Sequence, residues 1–341
     1  MRTLSGIQPS GALHLGNYFG AIRQFVSLQQ EEGEALYFIA NLHALTTVRD
    51  GAALERYTTA VALDFLALGL DPSRSILFRQ SDVPFHTELY WILGTLTPMA
   101  LLERGHSYKD KLARGFGADH GLFAYPLLMA ADILLYRADR VPVGKDQKQH
   151  LEIARDVATK FNLAYVPGYD PQDPQAREDR RHRQGILKLP EPLILDSTAV
   201  VPGTDGQKMS KSYGNAIDLF GTDKALKKQI MGIVTDSTPV EAPKVPETNT
   251  VFLLLKLFLS PSDIETLAES FRRGGTGYGA YKKQLLDAFH AAFDPARARR
   301  QELEKDLGAV ENILRDGAQR AEAIARPVIE DVRRAVGVTG R

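Results

Sequence analysis

Two lysines just past the middle of the chain have the type and spacing to bind a polyphosphate. Lys208 and Lys211 lie three residues apart, next to the hydroxyl side chains of Ser210 and Ser212. Gly206 precedes them and gives the backbone conformational freedom. Each ammonium can neutralise phosphate oxygens through charge-assisted hydrogen bonds, which are stronger than neutral ones. The pattern therefore indicates a mobile, phosphate-binding lysine loop over residues 206–212, with a solvated turn and a basic helix start as the alternative.

A second candidate for anion binding lies near the N-terminus. Apolar residues recur at helical spacing from Leu15 to Leu28, so His14 and Asn17 are expected at the start of that helix. The free backbone N–H groups and the dipole at a helix N-terminus attract anions. Helix capping is the alternative role for these two side chains. The segment matches neither a P-loop nor a GxGxxG fingerprint, which disfavours a P-loop NTPase or a dinucleotide-dependent dehydrogenase.

A carboxylate in an apolar helix is the third chemical signal. Asp132 lies within an almost wholly apolar run, so its helix must be buried on most faces. A buried carboxylate is costly unless it is paired or hydrogen-bonded. One interpretation is a salt bridge to Arg137 or Arg140. The other is a fixed acceptor for a polar hydrogen on an otherwise apolar ligand. Met129, three residues before Asp132, can share a pocket wall with it, and Tyr125 lies one residue short of two turns away.

The elements that must position these residues alternate between strands and helices. Buried strands are predicted at 35–40, 75–80 and 141–143, and helices at about 52–68 and 86–102. This alternation predicts an α/β fold with a parallel sheet, whose ligands bind beyond the carboxyl ends of the strands. Gln8 and His43 fall at such ends, and Asp146 follows the strand at 141–143, where it can cap a helix or accept ribose hydroxyls.

The composition limits which partners and which kinds of site the chain can have. The 341 residues carry 42 basic and 42 acidic side chains, so a nucleic-acid partner would have to use local basic patches. There is no cysteine, which excludes disulfides and thiolate zinc sites, and no apolar run or leader indicates a membrane span or export, so a cytoplasmic protein is expected. Residues 166–192 are polar and basic and are expected to form a solvated insertion or to meet RNA phosphates. From about residue 251 onward only helices are predicted.

Five separated motifs occur in one order along nearly the whole chain. They are HLGN at His14–Asn17, the helix segment Met129–Asp132, GxDQ at Gly144–Gln147, KMSKS at Lys208–Ser212 and VTDS at Val234–Ser237. Together they resemble the bacterial tryptophanyl-tRNA synthetases, a family of class I aminoacyl-tRNA synthetases. Leu4 departs from the family pattern, in which many members place a Phe over the indole ring.

The resemblance implies a Rossmann-like parallel-sheet catalytic domain over residues 1–215 and an α-helical, anticodon-binding domain over residues 216–341, whose final helix can pack back on the first. The resemblance implies catalytic roles for His14, Asn17, Lys111, Lys208 and Lys211. The implied ATP-binding residues are Gln8, Ser10, His14, Gly16, Asn17, Gly144, Asp146, Gln147, Lys208, Met209, Ser210, Lys211 and Ser212. The implied tryptophan-binding residues are Leu4, Gln8, His43, Tyr125, Met129, Asp132, Val141, Val143 and Gln147.

The implied partners are ATP with Mg²⁺, L-tryptophan, tRNA(Trp) and a second copy of the chain, bound through the N-terminal part; no protein-bound metal is expected. Met129 favours tryptophan over tyrosine, because tyrosine enzymes commonly place a Gln there and a thioether suits the face of an indole. Two other functions stay open from the sequence. One is a nucleotidyltransferase that makes an adenylate without tRNA, and the other is a catalytically silent RNA-binding or partner-binding paralogue.

Overall fold

The computed structural model describes residues 1–103, 119–144, 147–172, 185–194 and 201–339. Two of the predicted site residues, Lys111 and Asp146, lie outside the described residues, as does the central part of the polar segment 166–192. Among the described residues, no helix is both long enough and apolar enough to cross a membrane.

The predicted α/β fold is confirmed: five parallel strands form one sheet in the order β3-β2-β1-β4-β5. The strands are β1 (Arg2–Ile7), β2 (Glu34–Ile39), β3 (Ser75–Arg79), β4 (Arg140–Val143) and β5 (Glu191–Ile194). Central β1 pairs along its whole length with β2, where Gly6 lies opposite Phe38, and pairs with β4 through Thr3 and Arg140. The strand order reverses between β1 and β4, so a crevice opens there beyond their carboxyl ends.

Helices cover the sheet and make up the C-terminal third of the chain. They are α1 (Leu15–Asn17), α2 (Arg23–Leu28), α3 (Asn41–Ala44), α4 (Gly51–Ala67), α5 (Phe85–Gly94), α6 (Met99–Glu103), α7 (His120–Leu134), α8 (Lys148–Tyr165), α9 (Asp223–Met231), α10 (Thr250–Leu255), α11 (Pro261–Arg273), α12 (Tyr278–Glu304) and α13 (Leu307–Val336). A π-helical turn, Tyr18–Ile22, joins α1 to α2. The single helix predicted at 86–102 is instead two helices, because Pro98 disfavours helical backbone at the residue before it.

The C-terminal helices pack directly on the sheet and its flanking helices. The buried residues of α13 recur at helical spacing and face β3, while α12 packs against α4. Two hydrophobic clusters fill the interior, and each draws side chains from both sides of residue 215. One joins Phe78 of β3 to Ile329 of α13, and the other joins Phe65 of α4 to Phe289 of α12.

The end of the polar segment belongs to the packed fold. Leu187 is fully buried, and its backbone N–H and carbonyl both bond to the side-chain amide of Asn162 on α8. Four residues later β5 begins and pairs with β4. The expectation of a solvated loop across 166–192 is therefore wrong for residues 185–192, because an apolar side chain there reaches the core.

Gly317 tests the packing of α13 on β3. A Cβ at this position would collide with the backbone carbonyl of Leu77, so we expect Gly317→Ala to lower the free energy of unfolding by about 1–3 kcal/mol or more. The matched control is Gly279→Ala in α12, where a Cβ meets no atom within 4 Å and higher helix propensity should make the change neutral or slightly stabilising. Urea-unfolding midpoints measure both variants. Equal midpoints would contradict the close approach of helix and strand.

Candidate active site

A cavity of about 430 Å³ opens where the crevice between β1 and β4 was expected. Every residue predicted from the resemblance to bind the amino acid lines this first cavity. The described lining comprises Leu4, Ser5, Gly6, Gln8, Gly20, Ala21, Gln24, Phe25, Phe38, Ala40, His43, Thr46, Tyr125, Met129, Asp132, Ile133, Val141, Pro142, Val143, Gly144, Gln147 and His150. The wall is mainly apolar, with a few polar groups that converge on it, which is the usual composition of a small-molecule site.

Asp132 is the charged group of the first cavity and is only 1% exposed. Its Oδ2 accepts a hydrogen bond from His43 Nε2 at 2.8 Å, and its Oδ1 accepts from Gln80 Nε2 and His86 Nδ1, both at 2.7 Å. Burial raises the pKa of Asp132, but the hydrogen bonds from His43 and His86, with the electrostatic attraction of the two rings, outweigh it and hold the pKa at about 2. The carboxylate is therefore ionised at neutral pH.

The alternative salt bridges of Asp132 are not formed. Arg137 donates to the carboxylate of Asp331 at 2.8 Å, and Arg140 pairs with Glu31. Of the three partners of Asp132 named above, His43 lines the first cavity, whereas Gln80 and His86 do not. This leaves the carboxylate available as a fixed acceptor at the cavity wall.

Other side chains at the wall of the first cavity are fixed by contacts with their neighbours. The Tyr125 hydroxyl forms a hydrogen bond of 2.9 Å with His150 Nε2, which fixes both side chains at the wall. Gln8 Nε2 lies 3.4 Å from the backbone carbonyl of His43. Met129 is half-buried and presents its side chain to the cavity between Tyr125 and Asp132.

A second cavity of about 760 Å³ has a polar wall that contains the lysine loop and the helix start. It is lined by Ser10, His14, Asn17, Thr47, Val48, Arg49, Asp50, Ala53, Tyr57, Ser210, Lys211 and Ser212. The structure therefore brings six of the predicted ATP-binding residues to the second cavity, while Gln8, Gly144 and Gln147 line the first. Lys211 and Arg49 are its cationic side chains.

The lysine loop is attached to the helix start by direct contacts. The backbone N–H of Gly16 points to the Met209 sulfur at 3.3 Å, so these two predicted residues meet each other. Gly11, with φ of +122°, lies against Lys211, and a Cβ there would come 3.5 Å from the ammonium nitrogen. Lys208 differs from Lys211, because it is exposed and lines neither cavity.

His14 and Lys211 both have lowered pKa values. Burial, with a contribution from the nearby Lys211 ammonium, lowers the pKa of His14 to about 4, so this imidazole is neutral at pH 7. Burial also lowers the pKa of Lys211, and the carboxylates of Asp218 and Asp64 partly offset that effect. A partly desolvated ammonium beside neutral donors is well suited to meet developing negative charge.

Sequence reasoning missed several residues of the site. Asn215 is 2% exposed and braces the lysine loop: its Oδ1 accepts from the backbone N–H of Ser210 at 2.8 Å, and its Nδ2 donates to Asp205 and to the Lys208 carbonyl. Nothing in its local sequence signals that role. Gln80 directly follows β3, so the rule that singled out Gln8 and His43 at strand ends applies to it equally.

The family model for tRNA synthetases of class I (W and Y) matches residues 1–294. The chain belongs to this family of class I tRNA synthetases. The tryptophan–tRNA ligase of Fusobacterium nucleatum is 51% identical over 99% of this chain and 98% of its own length. That of Rhodopirellula baltica is 52% identical over 99% and 100%.

A solved structure supports membership of the same family. The tryptophanyl-tRNA synthetase of Campylobacter jejuni, in complex with ADP and tryptophan, superposes on this synthetase with a TM-score of 0.87. It is 47% identical and covers 99% of this chain and 100% of its own. The Rossmann-like class of the sheet, predicted from the sequence, is thereby confirmed.

The charge state of His14 gives a pH test of the synthetase. We expect its imidazole to stay neutral from pH 8 down to about pH 5, because its pKa is near 4. The unfolded chain takes up this proton first, so His14 contributes stability that is full above about pH 6.5 and is lost as the pH falls toward 4. Histidine-labelled NMR, with His14→Gln to assign the signal, measures the titration.

The matched pair for this test is Lys211→Met and Lys208→Met. Removing the Lys211 ammonium should raise the pKa of His14, whereas removing that of Lys208 should leave it unchanged, because Lys211 is the lysine that adds to the effect of burial on this pKa. A His14 midpoint near 6.5 in the unmodified chain would overturn the assigned burial.

Proposed function

We propose that the chain is a tryptophan–tRNA ligase. It activates L-tryptophan with ATP to tryptophanyl-adenylate and transfers the tryptophanyl group to tRNA(Trp), releasing pyrophosphate and AMP. The observation that carries the proposal is an apolar cavity with one buried, ionised carboxylate, Asp132, next to a polar cavity lined by Lys211. The Campylobacter jejuni relative, which binds ADP and tryptophan, supports the same pairing of ligands.

The first cavity fits an indole better than a phenol. Asp132 presents an acceptor for one N–H, while Met129 offers a polarizable thioether and no strong hydrogen-bonding group. A phenol needs a partner for its oxygen as well as for its hydrogen. Leu4 is 1% exposed and lines the cavity, so it closes the wall where many relatives use a larger aromatic ring.

The activation step needs positioning and charge stabilisation rather than a covalent enzyme intermediate. A carboxylate oxygen of tryptophan attacks the α-phosphorus of ATP in line, and the bond from that phosphorus to the bridging oxygen of the β-phosphate breaks. Pyrophosphate leaves with the electron pair. Lys211 meets the charge that builds on the leaving phosphates, and neutral His14 and Asn17 hold phosphate or ribose-proximal oxygens.

Mg²⁺ enters this scheme as part of the ATP substrate. Among the described residues, no cluster of three or more His, Asp or Glu side chains could hold a metal ion. Mg²⁺ is usually bound through substrate phosphates together with one or two protein groups. The ion supplies charge neutralisation on the triphosphate, and the residues of the second cavity orient the nucleotide.

Transfer to tRNA completes the proposed reaction. The 3′-terminal ribose hydroxyl of tRNA(Trp) attacks the carbonyl carbon of the adenylate, and AMP leaves. The helices after residue 215 are the proposed anticodon-binding part. Several of their basic residues already have intramolecular partners, since Lys282 donates to two backbone carbonyls and Arg297 and Arg300 pair with carboxylates, whereas Arg273 and Lys283 are exposed.

A homodimer is the proposed assembly. Large apolar side chains in the N-terminal half are exposed, with Trp91 at 71%, Met99 at 63% and Leu45 at 48%. Exposed large apolar side chains of this kind are candidates for burial between two copies of the chain. Light scattering on the purified chain, compared with Trp91→Ser, tests whether this region joins two copies.

ATP–pyrophosphate exchange over all twenty amino acids tests the proposed substrate. We expect tryptophan to support exchange and to exceed tyrosine by at least about 10³, because a buried acceptor and an apolar wall reject a ligand whose polar atoms they cannot satisfy. Attachment of labelled tryptophan to tRNA tests the second step. Exchange without tRNA charging would favour a small-molecule nucleotidyltransferase, and absence of both would favour a catalytically silent paralogue.

Lys211→Ala tests the role of the lysine loop. We expect kcat for exchange to fall by about 10²–10³, because one donor to the developing charge is lost, while the KM for tryptophan changes less than about twofold. Lys224→Ala is the control, because Lys224 is an exposed lysine of α9 that lines neither cavity. Near-native exchange in Lys211→Ala would reject the assignment.

A further inference from the structure

Behind the wall of the first cavity lies a buried polar network of which only Asp132 belongs to one of the five motifs. It comprises Gln80, His86 and Tyr136 together with the carboxylate of Asp132, and the first three are fully buried. Gln80 follows β3, His86 belongs to α5 and Tyr136 follows α7. Of the four, only Asp132 lines the cavity. Gln80 and His86 therefore bond to the carboxylate from positions that do not line the cavity, and Tyr136 joins the network through His86.

The two oxygens of Asp132 accept different numbers of hydrogen bonds. Oδ1 accepts from Gln80 Nε2 and from His86 Nδ1, both at 2.7 Å, whereas Oδ2 accepts from His43 Nε2 alone at 2.8 Å. A carboxylate has about four acceptor sites, two on each oxygen. Oδ1 is thus saturated, and one acceptor site remains on Oδ2. Asp132 meets the cavity, so that remaining site is the one available to a ligand.

Tyr136 sets the donor and acceptor roles in the hydrogen bonds of His86. Its hydroxyl lies 2.8 Å from His86 Nε2, and burial raises the pKa of this phenol well above its usual value, so the hydroxyl keeps its proton. With the phenol donating to Nε2, the imidazole carries its proton on Nδ1 and donates it to Asp132. This arrangement gives each ring nitrogen of His86 a hydrogen-bond partner.

We infer that Gln80, His86 and Tyr136 are positioning residues for amino-acid specificity: by saturating Oδ1 they leave Asp132 one acceptor site, on Oδ2, which selects a ligand ring with a single N–H donor. The inference rests on the proposed activation of tryptophan and deepens it. None of the three residues touches the cavity, so each acts through Asp132. A ring of the same shape without the N–H would leave the Oδ2 site unpaired in a buried setting, which is strongly unfavourable.

The test compares tryptophan with its benzothiophene analogue, in which sulfur replaces the indole N–H. The specificity ratio is kcat/KM for tryptophan divided by kcat/KM for the analogue, both from ATP–pyrophosphate exchange. In Gln80→Met we expect this ratio to fall at least about tenfold, chiefly through a higher KM for tryptophan, because Oδ1 loses a donor and the carboxylate is no longer fixed. Activation of the analogue should change less than about threefold.

The matched control is Gln29→Met. Gln29 is also a buried glutamine that bonds to backbone groups, donating to the Gly69 carbonyl at 2.8 Å and accepting from Asp71 N–H at 2.9 Å, but it lies outside the first cavity and its network. It should lower stability without changing the specificity ratio. An equal fall of the ratio in both variants would mean general destabilisation and would overturn the inference.

A second pair keeps the test decisive if Gln80→Met does not fold. Tyr136→Phe removes only the hydroxyl that fixes the His86 tautomer, and Tyr37→Phe removes a buried hydroxyl that donates to the Phe25 carbonyl at 3.0 Å. The ratio should fall in Tyr136→Phe and stay unchanged in Tyr37→Phe. An unchanged ratio in Tyr136→Phe and in any folded Gln80→Met, with tryptophan still activated by the unmodified chain, would reject the inference alone. Failure of the unmodified chain to activate tryptophan would reject the proposed function itself.

Discussion

A carboxylate that is 1% exposed must be satisfied by donors, and the donors of Asp132 tie together four parts of the fold. His43 comes from α3, Gln80 from the turn after β3 and His86 from α5, while Asp132 belongs to α7. Removing one member of a buried, charged network typically costs about 3–5 kcal/mol, because an uncompensated group is left behind. The same requirement that holds these elements in register therefore places an ionised acceptor at the wall of the first cavity.

The second cavity depends on contacts between distant parts of the chain. The Met209 sulfur meets the backbone of Gly16, and Asn215 holds the backbone of the lysine loop at Ser210. These contacts bring Lys211 to the side of His14, where burial lowers the pKa of both groups. One cation and one neutral imidazole result, which is a combination that can donate to phosphate oxygens without mutual repulsion.

The C-terminal helices are coupled to the same region through the packing around α4. This helix supplies Ala53 and Tyr57 to the second cavity and packs against α12. Its Asp64, 2% exposed, accepts from Arg300 of α12 at 2.5 Å, and burial raises the pKa of that carboxyl to about 6 although Arg300 opposes the effect. Arg79 at the end of β3 pairs in turn with Glu311 of α13 at 2.6 Å. Helix α4 therefore contacts the helices proposed to recognise tRNA and also lines the cavity proposed to hold ATP.

Residue types and their spacing were enough to predict the fold class and the kinds of side chain that line the two cavities. Apolar runs of strand length alternating with helices specified a parallel sheet, because strands buried on both faces leave no polar alternation. The lysine loop, the helix start at His14 and the carboxylate of Asp132 were identifiable from residue type, spacing and the cost of burying charge. The resemblance to the synthetase family predicted which residues bind the amino acid. In the structure all of these residues line the first cavity.

The hydrogen-bond partners of these groups could not be predicted in this way, because they depend on how the elements pack. The sequence offered Arg137 or Arg140 to Asp132, because they are its neighbours in the chain, but the fold gives it Gln80 and His86, which are 52 and 46 residues away. Likewise, the sequence predicted the same phosphate-binding role for Lys208 and Lys211. In the structure the path of the loop brings Lys211, and not Lys208, to the second cavity. Hydrogen bonds between residues far apart in sequence depend on how separate elements pack, and that packing is a property of the whole chain rather than of any segment.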